Sequence, residues 1–193
     1  IDSSSTNKKP FLPIFVSESL SDFYYRNNPS DKKEIIKATK ISGIENGAIN
    51  QFLGDMYQNI NMYDNFIMVF KKGFVSPVSD YGLAYYKYYL VDSLFIGNKW
   101  CYKLTFKPRR KQELTFTGHI WVADSSFAVR KANLRTSPDA NINFVEDLAI
   151  IQEYDLINKE VWMKTKDIFI VDFLAKDDGM GFIGRKSASY KDF

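Results

Sequence analysis

Lys99–Lys107 reads KWCYKLTFK and Leu114–Val122 reads LTFTGHIWV, and the alternation in these two runs decides the fold. In the first run Trp100, Tyr102, Leu104 and Phe106 fall on one side of an extended chain, with Lys99, Cys101, Lys103, Thr105 and Lys107 on the other. Successive side chains of a strand point to opposite faces, so the pattern predicts one buried and one wet face. In the second run Leu114, Phe116, Gly118, Ile120 and Val122 alternate with Thr115, Thr117, His119 and Trp121. The polar connection PRRKQE, Pro108–Glu113, suits an antiparallel hairpin between them. Gly118 within the second run predicts a bend or bulge that helps a sheet curl.

Moving outward, strands are expected at Tyr85–Val91, Phe127–Leu134, Glu146–Leu156, Val161–Leu174 and Phe182–Tyr190, separated by turn-forming residues such as Gly97-Asn98 and Ser137-Pro138-Asp139. About seven consecutive strands with short connections pair as an antiparallel meander, which curls around whatever covers its apolar face. Upstream, Phe11–Arg26 reads as an extended segment along a sheet edge. Asp31 followed by Glu34 has capping-box spacing and Gly43 supplies a stop, so a helix is expected between them. A second helix is expected over Ala48–Asn61, where Ile49, Phe52, Leu53, Met56 and Ile60 recur at steps of three and four. Residues 1–10 read as a polar linker or tail and 11–193 as a single β-rich domain. The expected class is therefore α+β, a curved antiparallel half-barrel of about seven strands packed on two or so helices.

The 193 residues are 45% hydrophobic and 25% charged, the balance of a folded chain that can bury a core without disulfides. No apolar run approaches the roughly 20 residues of a membrane-spanning helix. The formal charge of +3 is the difference between 26 Lys+Arg and 23 Asp+Glu, too small to imply nucleic acid as a partner. With Cys101 as the one cysteine and His119 as the one histidine, Cys/His zinc sites and internal disulfides are excluded. The chain opens at Ile1 without Met and is read as a piece of something longer.

Candidate sites follow from the faces. Trp100, Tyr102, Leu104, Phe106, Phe116 and Ile120, with Phe52 and Met56 of the second helix above them, could line an apolar concavity. A filled core has the same alternation, because burial stabilises a side chain by roughly 1.5–3 kcal/mol whether its neighbour is protein or ligand. Arg109, Arg110 and Lys111 concentrate charge at the hairpin tip, suited to a lipid headgroup or an acidic partner, or to solubility alone. Trp121, on the opposite face from Ile120, is a candidate partner contact. A Cys101–His119 pair would need the two in hydrogen-bond reach to act as nucleophile and base. Glu146-Asp147 are adjacent on a strand and point apart, and Asp177-Asp178-Gly179 reads as a turn. The phosphate-loop, nucleophile-elbow and dinucleotide signatures are missing, so the expectation is a non-catalytic module with no cofactor and no metal.

Six segments carry a resemblance: SESLSDFYYR at Ser17–Arg26, INQFLGDMYQNINMYDNF at Ile49–Phe66, FVSPVSDYGLAYYKYYLVDS at Phe74–Ser93, WCYKLTFKPRRKQELTFTGHIWV at Trp100–Val122, DANINFVEDL at Asp139–Leu148 and GFIGRKSASYKDF at Gly181–Phe193. They resemble an uncharacterised family of Gram-negative envelope proteins in which a carboxypeptidase-regulatory-like domain precedes a domain of unknown function. The run of strand, basic turn and strand also looks like the half-barrel of periplasmic lipoprotein carriers. The resemblance implies a periplasmic, outer-membrane-associated module that binds a lipid or lipoprotein acyl chain. The alternative it leaves is a structural adaptor that docks envelope proteins or other domains of its own chain around an ordinary core.

Overall fold

The computed structural model of the chain describes residues 15–26, 28–29, 31–43, 56–57, 59–140, 142–143, 145–158, 161–173 and 182–193. The chain divides into two compact units, residues 1–51 and 52–193. In the first, β1 (Phe15–Arg26) and β2 (Asp31–Gly43) form an antiparallel ribbon with Phe15 opposite Gly43 and Arg26 opposite Asp31. The helix expected over Asp31–Gly43 is thus a strand. Its Ile35, Ile36, Thr39 and Ile41 are β-branched and lose side-chain freedom in a helix. Glu34, which a capping box would turn back toward Asp31, instead accepts a 2.6 Å bond from the Ser21 hydroxyl across the ribbon. Lys37 pairs with Asp22 at 2.7 Å, and that bond raises the lysine pKa.

The second unit contains a hairpin, β3 (Phe66–Val69) and β4 (Lys72–Val75), and a single helical turn, α1 (Gly82–Tyr85). Seven strands follow: β5 (Tyr86–Ile96), β6 (Lys99–Pro108), β7 (Phe116–Ala123), β8 (Val129–Thr136), β9 (Val145–Ile157), β10 (Val161–Phe173) and β11 (Phe182–Ser189). They pair in sequence order, each antiparallel to the next, with β5 and β11 at the edges. The seven-strand meander read from the alternation is present. Register places Phe106 against Gly118, Leu104 against Ile120 and Tyr102 against Val122. The expected bend at Gly118 has a local cause: its φ is +147°, and a Cβ there would lie 2.0 Å from the Asn133 carbonyl oxygen.

What covers the sheet differs from the expectation. Met56, Ile60, Met62, Ile67, Val69, Phe74 and Val75 form one buried cluster with Tyr86, Phe106, Phe116, Ile120, Leu134, Ile150, Phe169 and Val171 of the sheet. The cover is therefore the β3–β4 hairpin and the described chain before it from Met56 on, and the molecule is mostly β rather than α+β. Among the described residues α1 is a single turn at the sheet's edge and Met56 is the one other helical position, so two packed helices are not the cover. Of the second expected helix, Ile49, Phe52 and Leu53 lie outside the described residues, and Asn59–Asn61 is irregular. Polar side chains divert the backbone there: Asn61 donates to Asp64 Oδ1 at 2.7 Å and accepts from the Tyr63 N–H at 3.2 Å. The hairpin is closed by Phe70 (φ 47°) and Lys71 (φ 63°), the left-handed pair that a two-residue loop between twisted strands requires.

Candidate functional site

The residues expected to line a concavity divide into two groups. Phe106, Phe116, Ile120 and Met56 are buried in the core cluster. Phe116 packs on Phe74 of the hairpin, ring centroids 5.0 Å apart, and Phe106 meets Tyr86 edge-on at 5.5 Å. Met56 lies over β11, its sulfur 3.2 Å from where a Cβ at Gly184 would sit. These side chains belong to one buried core cluster. Tyr102 and Leu104 are half-buried, and Trp100 stands at the rim in an edge-on pair with Phe95 at 4.9 Å. Phe52 lies outside the described residues.

The face expected to be wet has a small core of its own. Cys101, Trp121 and Ala123 are buried together, with Ile96 and Trp162 packed against them. Trp121 is 9% exposed and carries Lys103 over its ring at 5.5 Å, which leaves it little surface to offer a partner. Burial pushes the Cys101 thiol up, away from the thiolate. His119 pairs with Thr105, four residues along β6 from Cys101, a separation of about 13 Å at the rise of a strand. Nucleophile and base are not brought together. No group of three or more His, Cys, Asp or Glu among the described residues could hold a metal ion.

The basic turn is pinned rather than loose. The Arg109 Nε donates to the Leu83 and Tyr86 carbonyls, both at 2.9 Å, and its backbone N–H donates to Tyr85 at 2.8 Å. Arg110 pairs with Glu113 at 3.0 Å and sits over the Tyr85 ring, while Lys111 is exposed. The other Glu113 oxygen is buried without a hydrogen-bond partner. A shallow pocket of about 310 Å³ opens elsewhere, at the β8–β9 connection, bordered by Arg135 and Asp147, which pair at 2.7 Å.

Two features escaped the sequence reading. One is a buried polar network: Gln152 donates to the Ile60 carbonyl and to Asp167 Oδ1, both at 2.8 Å, and accepts from the Tyr154 hydroxyl at 2.9 Å. Lys164 adds a 3.0 Å bond to the same Ile60 carbonyl. The network anchors the covering chain to β9 and β10. Its residues alternate correctly with apolar neighbours, but nothing in the spacing says that a glutamine and an aspartate on the inner face will share a partner. The other feature is the outer edge of β5, where Tyr89, Leu90, Val91, Leu94 and Phe95 are between 39% and 65% exposed. Edge strands ordinarily carry charges, prolines or bulges against pairing. Here Lys87, Asp92 and a bulge at Val91 are the visible defences.

The chain matches DUF5686, a family of unknown function, over residues 3–193. It belongs to that family. No curated protein and no solved structure matches it. No helix of the DUF5686 chain is long and apolar enough, among the described residues, to cross a membrane.

Proposed function

We propose that the chain is a non-catalytic adaptor module of an envelope protein, with its interior given over to its own core and its binding surface on the outside of β5. The observation that carries the reading is the contrast between the two apolar regions. The inner face is closed by Ile67, Val69, Phe74 and Val75, whereas five large apolar side chains face solvent on an edge strand whose outer side pairs with no other strand among the described residues. An extended segment from another domain or protein can add to such an edge, the main chain giving affinity and the side chains selectivity. An acyl chain against the inner face of the sheet would have to displace the β3–β4 hairpin buried on it, which is why the adaptor reading is preferred to the carrier one. The periplasmic, outer-membrane setting and the carboxypeptidase-regulatory-like neighbour come from the resemblance of the quoted segments and form part of the proposal.

A photo-crosslinking side chain placed at Phe95 in the native cell envelope tests this. The expected result is a discrete cross-linked product of defined mass, lost when Leu90 and Leu94 are changed to Lys, with the unfolding midpoint within a few degrees of the parent. The same product from a crosslinker at Ile183, on the far edge strand β11, or none from Phe95, would remove β5 as the docking surface.

A further inference from the structure

A second exposed surface lies at the other end of β5, around the basic turn and α1. Lys87 of β5 and Lys107 of β6 are directly opposite each other in register, and both are exposed. Like charges facing across a strand pair destabilise the sheet. Arg109, pinned to the Leu83 and Tyr86 carbonyls, and Lys111 extend the same cluster. None of Lys87, Lys107, Arg109 or Lys111 has an ion-pair partner among the described residues, since the acid of the turn, Glu113, pairs with Arg110. Counting Arg110, the cluster holds five cations and one acid, Glu113.

Beside this charge sits an apolar projection. Leu83 is 76% exposed on the single turn of α1, with Tyr81 half-exposed before it, and Arg109 grips the Leu83 carbonyl. Tyr89 lies under the Lys107 ammonium at 5.1 Å, a contact that holds the lysine along the strand face. The geometry points to an anionic phospholipid bilayer surface as the partner of this corner: Leu83 enters below the headgroups, Tyr81 and Tyr89 lie at the interface, and Lys87, Lys107, Arg109 and Lys111 meet the phosphates. Tyrosine suits that depth because one end of the ring is apolar and the other wet. Each cation near an anionic membrane surface contributes to attraction, and the effect fades over a Debye length, so binding falls with salt. An acidic protein segment would satisfy the charges too, but it would leave Leu83 without a use.

The test is co-sedimentation of the chain with vesicles of phosphatidylglycerol and phosphatidylcholine against vesicles of phosphatidylcholine alone, at low and high salt. The expected result is binding to the anionic vesicles only, weakened about tenfold or more by Lys107→Gln with Lys111→Gln. Leu83→Ser is expected to weaken it several-fold with the salt dependence retained and to unfold at the parent's midpoint, while the lysine variant should unfold at or slightly above it because the Lys87–Lys107 repulsion is relieved. Equal binding to both vesicle types, or no binding, overturns the proposal. So does binding to polyglutamate with none to vesicles, which would assign the corner to an acidic protein instead. The two surfaces share Tyr89, but the tests remain distinguishable, because none of the substituted residues is Tyr89, Leu90, Val91, Leu94 or Phe95 and the docking test reads a crosslink at Phe95 rather than vesicle binding.

Discussion

The hydroxyl of Tyr86 joins two parts of the fold that have no ladder between them. It donates to the Val75 carbonyl at the end of β4 and accepts from the Phe116 N–H at 3.0 Å at the start of β7. Both partners are buried, so removing the oxygen leaves a carbonyl and an amide unsatisfied. Tyr86→Phe is therefore expected to cost about 2–4 kcal/mol in a urea unfolding series, whereas Tyr89→Phe on the exposed edge stays within about 0.5 kcal/mol. A smaller loss at Tyr86 would mean that its hydroxyl adds little to the 3.0 Å bond from the Val75 N–H to the Leu114 carbonyl that also ties the two. The sequence gives no warning of this role: a Tyr-Tyr pair at the start of a strand looks the same whether or not its hydroxyl is spent. Gly118 is the opposite case. A glycine inside an alternating run predicts a bend, and the Asn133 carbonyl occupies the space a Cβ would need.

At the scale of elements, the strands of the meander were legible and the strand nature of Asp31–Gly43 was not. From β5 to β11 period-two alternation and polar turns coincide with the ladder, because half-burial on a sheet imposes that period directly. The ribbon strand Asp31–Gly43 misled because a cap-like Asp and Glu carry only local information, and the cross-strand partners of Glu34 and Lys37 lie more than ten residues away. Of the cover, Met56 is helical and Ile60, four residues on, reaches the core from irregular chain, while residues 48–55 of the expected second helix lie outside the described residues. That hairpin can be weighed against the edge by substitution. Phe74 is fully buried against Phe116, so Phe74→Ala should lower stability by about 3–5 kcal/mol. Phe95→Ala, already in water apart from its contact with Trp100, should cost far less. Comparable losses in chemical denaturation would mean that the hairpin does not close the core.

For the whole molecule, the clearest handle is pH. His119 is held below the usual histidine range, first by burial and then by the Lys103 and Lys131 charges. The unfolded chain therefore takes up a proton before the folded one, so this contribution to stability is present above about pH 6.5 and is lost as pH falls through the folded value. Thermal unfolding followed from pH 7 to 5 should show this loss, and His119→Asn should flatten it; an unchanged slope would mean that His119 is not held neutral. At the alkaline end burial pushes the Tyr88 phenol up to about 12, so stability should fall as pH rises from about 10 toward that value. Composition and alternation sufficed to read a folded β-rich chain and to place the basic turn. They could not tell a lined cavity from a packed interior, since both bury the same face, and they could not reveal which apolar residues the cover leaves outside. The central claim, that the inner face is closed by the protein's own hairpin, is most directly tested by native mass spectrometry of the chain after a high-salt wash that strips surface lipid. The bare polypeptide mass is the predicted result; a one-to-one adduct with the mass of an acyl lipid, retained through the wash and lost only on unfolding, would contradict it.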